Sequence, residues 1–287
     1  MIIISEFIFS NKRPDFESKY AKKTVSGNVT EFLEMSSKPS APAIQKISAD
    51  QYLNILTGEI CDFVKSESRA DNTDSLRKSF KKVRDIVNSN TTDNSNIHWV
   101  TLTYADNMTD TKQLYIDFDR FWKRFKRYCV KRSLVIPEYI SVIEPQERGA
   151  WHIHCIIVWN QKRPFIDNNS VFAPMWSHGF TKIQGVPDDC DNLGAYLSAY
   201  LTDLAMSDDG AEKKYVKGAR LKLYPVGVNI LRHSRGIKKP ESTQLLLDQI
   251  EKEKASSGKL TFSSSVTIID DEGHERHIFK SYYNKKR

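Results

Sequence analysis

Apolar residues recur along the middle of this chain with two periods, one near 3.6 and one of 2, and the expected elements follow from where each holds. Leu76, Phe80, Val83 and Val87 form one helical stripe behind a capping Asp74 or Ser75, and the polar stretch Asn88–Asn96 ends it. Ile97–Tyr104 is rich in β-branched and aromatic residues and reads as a strand. Lys112–Arg132 is predicted as a long helix with Phe118, Trp122, Phe125 and Cys129 inward and its basic residues outward. Tyr139–Glu144 and Trp151–Trp159 read as two strands paired around the loop Pro145–Ala150. A turn near Val171–Trp176, a strand at Gly179–Ile183, a helix over Asp191–Leu204 and an extended stretch at Leu221–Leu231 follow. Pro240–Lys254 is expected as a last helix. Leu260–Ile269 and Arg276–Tyr283 then form a hairpin about Asp270-Asp271-Glu272-Gly273. Residues 1 to about 70 show little regular pattern: Ser36–Pro42 is a loop signal and Asp50–Val64 a candidate helix. Helices interleaved with strands on short and long connections predict an α+β sheet domain.

The two periods place the candidate chemistry. Side chains alternate faces along a strand, so His152 and His154 share one face of Trp151–Trp159, and both faces are mostly apolar, as in a central strand. Glu144 ends the preceding strand, where pairing brings it beside them. Two neutral imidazoles and a carboxylate suit Mn²⁺ or Mg²⁺ with positions left open for a phosphate oxygen. A lone His-x-His in a strand is more often a packed pair, and cupin-type sites also use it, so the motif alone chooses no reaction. Tyr196 and Tyr200 stand one helical turn apart. Such a pair is usually core. Beside a metal group, a phenolate can attack a phosphodiester and conserve the bond as phosphotyrosine, so that strand closure needs no nucleotide.

Charge adds a partner. The 287 residues carry a net charge of +7, with 43 Lys and Arg against 36 Asp and Glu, which favours a polyanion. One basic set runs Arg120, Lys123, Arg124, Lys126, Arg127, Lys131, Arg132 with no acid inside it. Another runs Lys213, Lys214, Lys217, Arg220, Lys222, then Arg232, Arg235, Lys238, Lys239. The four cysteines have no CxxC spacing, which argues for a reducing compartment and against a zinc knuckle. The N-terminus lacks the basic region and apolar run of a signal peptide, and no apolar run is long enough for a membrane span, so a cytoplasmic protein without membrane partners is expected. No GxxxxGK[ST] appears, so no nucleotide cofactor is expected.

Together these segments resemble the rolling-circle replication initiators of the HUH endonuclease superfamily, especially the two-tyrosine Rep proteins of phages and plasmids. Trp99–Tyr104 resembles the first core strand of that family and Glu144–His154 its glutamate–arginine–glycine–histidine block. Tyr196–Leu201 resembles its catalytic helix. Tyr224–Val228 with Arg232–Pro240 resembles the basic strand and turn that follow. The resemblance covers about residues 75 to 285. It implies a central antiparallel sheet flanked by helices, a ferredoxin- or RRM-like palm with the His-x-His strand in the middle. It implies His152, His154 and Glu144 as metal ligands and Tyr196 or Tyr200 as nucleophile, leaving a 5′-phosphotyrosine and a free 3′-hydroxyl.

Single-stranded or hairpin origin DNA would be the substrate, held through Arg124, Arg127, Arg148, Lys213, Lys214, Arg232, Arg235 and Lys238, with host helicase and polymerase as partners. The domains would be an N-terminal extension over 1–70, the catalytic domain over 71–240, and a C-terminal helix and hairpin over 241–287, packing on or extending the core. One departure stands out. Relatives often carry a lysine three residues after each tyrosine, where this chain has Ala199 and Asp203. Either another base, Lys213, Lys214 or Arg220, neutralises the phosphate, or only one tyrosine works. A transposase or relaxase would use the same chemistry, and a non-catalytic DNA-binding regulator with packed histidines is the alternative of another class.

Overall fold

The computed structural model describes residues 4–64, 73–202, 204–207, 213–216 and 219–287. In chain order the first part carries strands β1 (Ile4–Ser10), β2 (Tyr20–Ser26), β3 (Val29–Met35), β4 (Ile44–Lys46), β5 (Gln51–Asn54) and β6 (Ile60–Asp62). The middle carries α1 (Thr73–Asn90), β7 (Ile97–Thr103), α2 (Thr111–Lys131), β8 (Glu138–Pro145), β9 (Trp151–Val158), α3 (Ala173–Trp176), β10 (Thr181–Gly185) and α4 (Leu193–Thr202). There follow β11 (Leu204–Ser207), β12 (Lys213–Val216), β13 (Leu231–His233), β14 (Glu241–Gln244), α5 (Ile250–Ala255), β15 (Lys259–Asp270) and β16 (Glu275–Asn284). The architecture is α+β, with large antiparallel sheets and flanking helices. The chain divides into two compact units: Met1–Val25 with Val29–Glu67 and Glu241–Arg287, and Ser26–Asn28 with Ser68–Pro240.

The first unit is built on a six-stranded sheet in the order β1-β15-β16-β3-β2-β14, with β4, β5 and β6 as a separate small sheet. The predicted hairpin is present. Asp270 closes it, its side chain accepting from the backbone amides of Glu272 and His274 at 3.1 and 2.8 Å. Three expectations fail here and just upstream. Asp50–Val64 is not a helix but β5 and β6, because Asn54 accepts from the amides of Leu56 and Thr57 and Gly58 takes φ +73°. That turn splits the run and sets Tyr52 against Phe63 at 4.8 Å. Residues 1–70, read as irregular, supply six strands instead. Pro240–Lys254 is helical only over α5, since Glu241–Gln244 pairs with β2 as an edge strand. The extended stretch predicted at Leu221–Leu231 is also corrected: Ala219–Leu223 is a 3₁₀ turn, and Pro225 and Gly227 bend the chain before the short β13.

The second unit holds a five-stranded antiparallel sheet in the order β10-β7-β9-β8-β13, with β9 at its centre. Alternation divides it into two faces. Tyr139, Ile157 and Trp159 lie on one, against Phe118, Trp122 and Phe125 of α2 at ring separations of 4.7 to 6.2 Å. Phe121 and Phe125 are fully buried there, each side chain contributing about 1.5–3 kcal/mol by leaving water. The opposite face carries Trp99, His152, His154 and Glu144. It lies on the side of α4, whose Tyr196 ring meets Trp99 edge-on at 5.5 Å. Among the described residues no helix is long and apolar enough to cross a membrane.

Candidate metal centre and tyrosine helix

Antiparallel register brings the three predicted ligands together. Glu144 on β8 stands directly opposite His152 on β9, with Val142 opposite His154. Glu144 and His154 are buried and His152 half-buried, and one ligand atom from each residue lies within 4.8 Å of the others. The tight turn between the strands, with Gln146 N–H donating to Ala150 O at 2.7 Å, fixes this register.

Burial gives the imidazoles the protonation state a metal needs. Loss of solvent pushes His154 down to about 4. His152 also falls to about 4, from burial first and then from His154 and the guanidinium of Arg148. Both are therefore neutral near pH 7. His154 Nε2 bonds the Glu144 carboxylate, and the Trp99 indole N–H reaches His154 Nδ1 at a long 3.4 Å. With Nδ1 accepting, the neutral ring carries its proton on Nε2. Ligation through Nε2 moves that proton to Nδ1, and the long indole contact is the one that gives way. His152 Nε2 is buried and has no hydrogen-bond partner among the described residues. Such an atom costs about 1–3 kcal/mol unless something binds it. The donor set and this orphaned nitrogen fit a divalent cation held by Glu144, His152 and His154. Arg220 stands against Glu144 and offsets the buried carboxylate.

The tyrosine helix is held from its start. Asn192 accepts from Ala195 N–H at 3.0 Å, a capping contact for α4. Asn88 of α1 bonds both the Gly194 amide and the Asn192 side chain at 2.8 Å. A Cβ at Gly194 would lie 2.3 Å from Arg84 O, so only glycine lets α4 approach α1 this closely. Tyr196 leaves this helix 60% exposed beside Trp99, whose indole edge also meets His154 at 6.0 Å. Trp99 thus links the tyrosine to the ligand. The backbone of Tyr200 continues α4, and its side chain lies outside the described residues.

The predicted DNA-binding residues are not gathered in one place. Arg148 lies by the ligands and donates to the carbonyls of Tyr104 and Ala105 at 2.9 and 3.4 Å. Arg124 and Arg127 belong to α2, on the other side of the sheet, where Arg124 holds Met175 O at 2.7 Å. Arg232 pairs with Asp119 of α2 at 3.2 Å and lies over the Tyr115 ring. Arg235 and Lys238 are exposed in the turn after β13. The side chains of Lys213 and Lys214, on β12, are outside the described residues. Sequence reasoning missed Lys182. It is exposed on edge strand β10 opposite Thr101, which faces His154, so alternation puts it on the ligand face. Its signal was the same period of 2 that grouped the histidines.

Residues 97–205, from β7 into β11, match a family of replication-associated proteins, the ORF2 type. The match contains Glu144, His152, His154, Tyr196 and Tyr200 and supports a replication initiator. No curated protein and no solved structure matches the chain.

Proposed function

We propose that this protein nicks and rejoins one DNA strand at a replication origin through a 5′-phosphotyrosine, with Tyr196 or Tyr200 as nucleophile. The observation that carries the proposal is the pairing, inside the segment matched by the replication family, of a three-ligand group with a tyrosine on the same face of the sheet.

Mn²⁺ or Mg²⁺ bound by Glu144, His152 and His154 would polarise a phosphate oxygen and offset charge in the transition state. The chain's own residues do the rest. The tyrosine Oη attacks phosphorus, and its O–P bond forms as the bond from phosphorus to the 3′-oxygen breaks. The phenol proton leaves to solvent, and the departing oxygen takes one up as a free 3′-hydroxyl. Attack by a 3′-hydroxyl reverses the step and expels the tyrosine, so joining needs no nucleotide. The cations that relatives carry near positions 199 and 203 are supplied here by Arg148, Arg220 and Lys182.

The test is incubation with single-stranded DNA and Mn²⁺, followed by a denaturing gel and mass spectrometry. A covalent adduct on Tyr196 or Tyr200 is expected. No adduct across a broad sequence pool overturns the proposal.

A further inference from the structure

A cavity of about 630 Å³ opens at the end of the sheet where the ligands sit, walled by Tyr104–Asp110 on one side and Ser177, His178 and Gly179 on the other. Its volume falls in the roughly 300–1,000 Å³ range of small-ligand sites. It adjoins the metal group through the backbone: Thr103 lies opposite His152, and the cavity wall begins at the next residue.

The wall is pinned to the strand that carries the histidines. Met108 O accepts from Trp151 N–H and Thr109 O from the Trp151 indole, both at 3.0 Å. Arg148 holds the carbonyls of Tyr104 and Ala105. On the other side Ala105 N–H donates to His178 O at 2.9 Å, and a Cβ at Gly179, which takes φ +151°, would lie 2.5 Å from Ala105 N. Asp117, buried beneath, accepts from the Tyr104 hydroxyl at 3.1 Å and lies 3.6 Å from His178 Nε2. A cavity held this firmly to a reacting centre is preorganised for what it takes.

Its chemistry selects against phosphate. Asp110 caps α2 through Lys112 and Gln113, while the Asp106 carboxylate makes no hydrogen bond among the described residues. Asp106 repels phosphate and accepts hydrogen bonds from amine groups. Phe180, just past Gly179 and paired by its carbonyl to Thr103, leaves its ring 65% exposed, as a stacking platform does. The phosphate side is served instead by Arg148.

We infer that this cavity holds one nucleobase flanking the scissile phosphate and reads it through Asp106, with Phe180 stacking on its neighbour. The base it takes carries an exocyclic amine, as cytosine, adenine and guanine do, and thymine is disfavoured because it offers none. The inference rests on the proposal that single-stranded DNA lies at the metal group.

The test is selection from a randomised single-stranded pool with Mn²⁺, sequencing bound and covalently attached DNA separately, for the full chain and for Asp106→Asn and Phe180→Ala. The wild-type chain is expected to disfavour thymine at one position. Asp106→Asn should relax that preference about tenfold, since an amide both donates and accepts. Phe180→Ala should lower binding without changing which base is chosen. An unchanged preference in Asp106→Asn, or no preference in the wild-type chain, overturns the inference. Absence of adduct with the preference intact sinks the nicking chemistry alone and leaves the base site standing.

Discussion

The two faces of the five-stranded sheet use histidine in opposite ways. On the α2 face His98 is buried, and its Nδ1 accepts the Trp159 indole N–H at 3.0 Å. Burial and the nearby Arg163 push it down to about 4, and it packs as a neutral core residue. On the α4 face His152 is pushed equally low but keeps a buried, unpartnered nitrogen beside a carboxylate and a second imidazole. A shifted imidazole therefore marks burial on both faces and chemistry on only one. What separates them is whether the polar atoms are satisfied.

The largest expected effect breaks this comparison directly. His152→Ala and His154→Ala should each lower Mn²⁺-dependent adduct formation by more than about 100-fold, since losing even an outer partner of a metal ligand costs about 10–100-fold. His98→Ala should cost stability and leave adduct yield per folded molecule unchanged. Gel quantification against the folded fraction reads both. A His98 variant as inactive as the ligand variants would erase the difference between the faces.

The second effect is shared by the faces. His98, His152 and His154 are held near 4, against 6.5 for the unfolded chain. Between these values the unfolded state binds more protons, so stability is complete above pH 6.5 and is lost as pH falls toward 4. Each proton taken up weights the slope by about 1.4 kcal/mol per pH unit. Urea unfolding at pH 7.5 and pH 5 with a chelator present should show the loss, and His98→Asn should remove one proton's share of it. A flat profile would mean that the histidines are solvated.

The faces also explain what the sequence disclosed. In the second unit strands are buried on one or both sides, so periods of 2 and 3.6 stand clear, and Glu144, His152 and His154 could be grouped before any coordinates. In the first unit the same periods are blurred. Thr24, Ser26, Thr30, Glu31 and Glu34 are buried on β2 and β3, and Lys254 sits with Glu34 and Glu251 at 2.7 and 2.8 Å. Polar residues that satisfy one another in this way read as surface in a sequence. The strand partners of β3 are also nearly 250 residues away, on β16, where no local pattern points. Trp99 was legible as a strand residue, but its contact with both Tyr196 and His154 depends on how α4 crosses the sheet. Charge divides the units too: the second has 27 Lys and Arg against 19 acids, the first 16 against 17. The basic surplus thus lies entirely with the ligand group.

A smaller effect tests how α4 is held over its face. Gly194→Ala places a methyl against backbone oxygen of α1 and should cost about 1–3 kcal/mol in thermal unfolding. Because the helix must shift, adduct yield should fall while Mn²⁺ affinity, set by β8 and β9, stays the same. Equal losses of both would show that the helix and the ligands are not separable.

The smallest expected effect asks which face meets DNA. Arg148 lies by the ligands, and Arg124 lies across the sheet with its guanidinium already on Met175 O. If DNA approaches the ligand face, Arg148→Ala should weaken single-strand binding severalfold and reduce the slope of log affinity against log salt by about 1, the share of one phosphate contact. Arg124→Ala should leave that slope unchanged, although its helix holds the densest basic run in the chain. Anisotropy titrations across a salt series compare the two. Equal changes would mean that DNA wraps both sides of the sheet, and an effect of Arg124 alone would move the interface to α2.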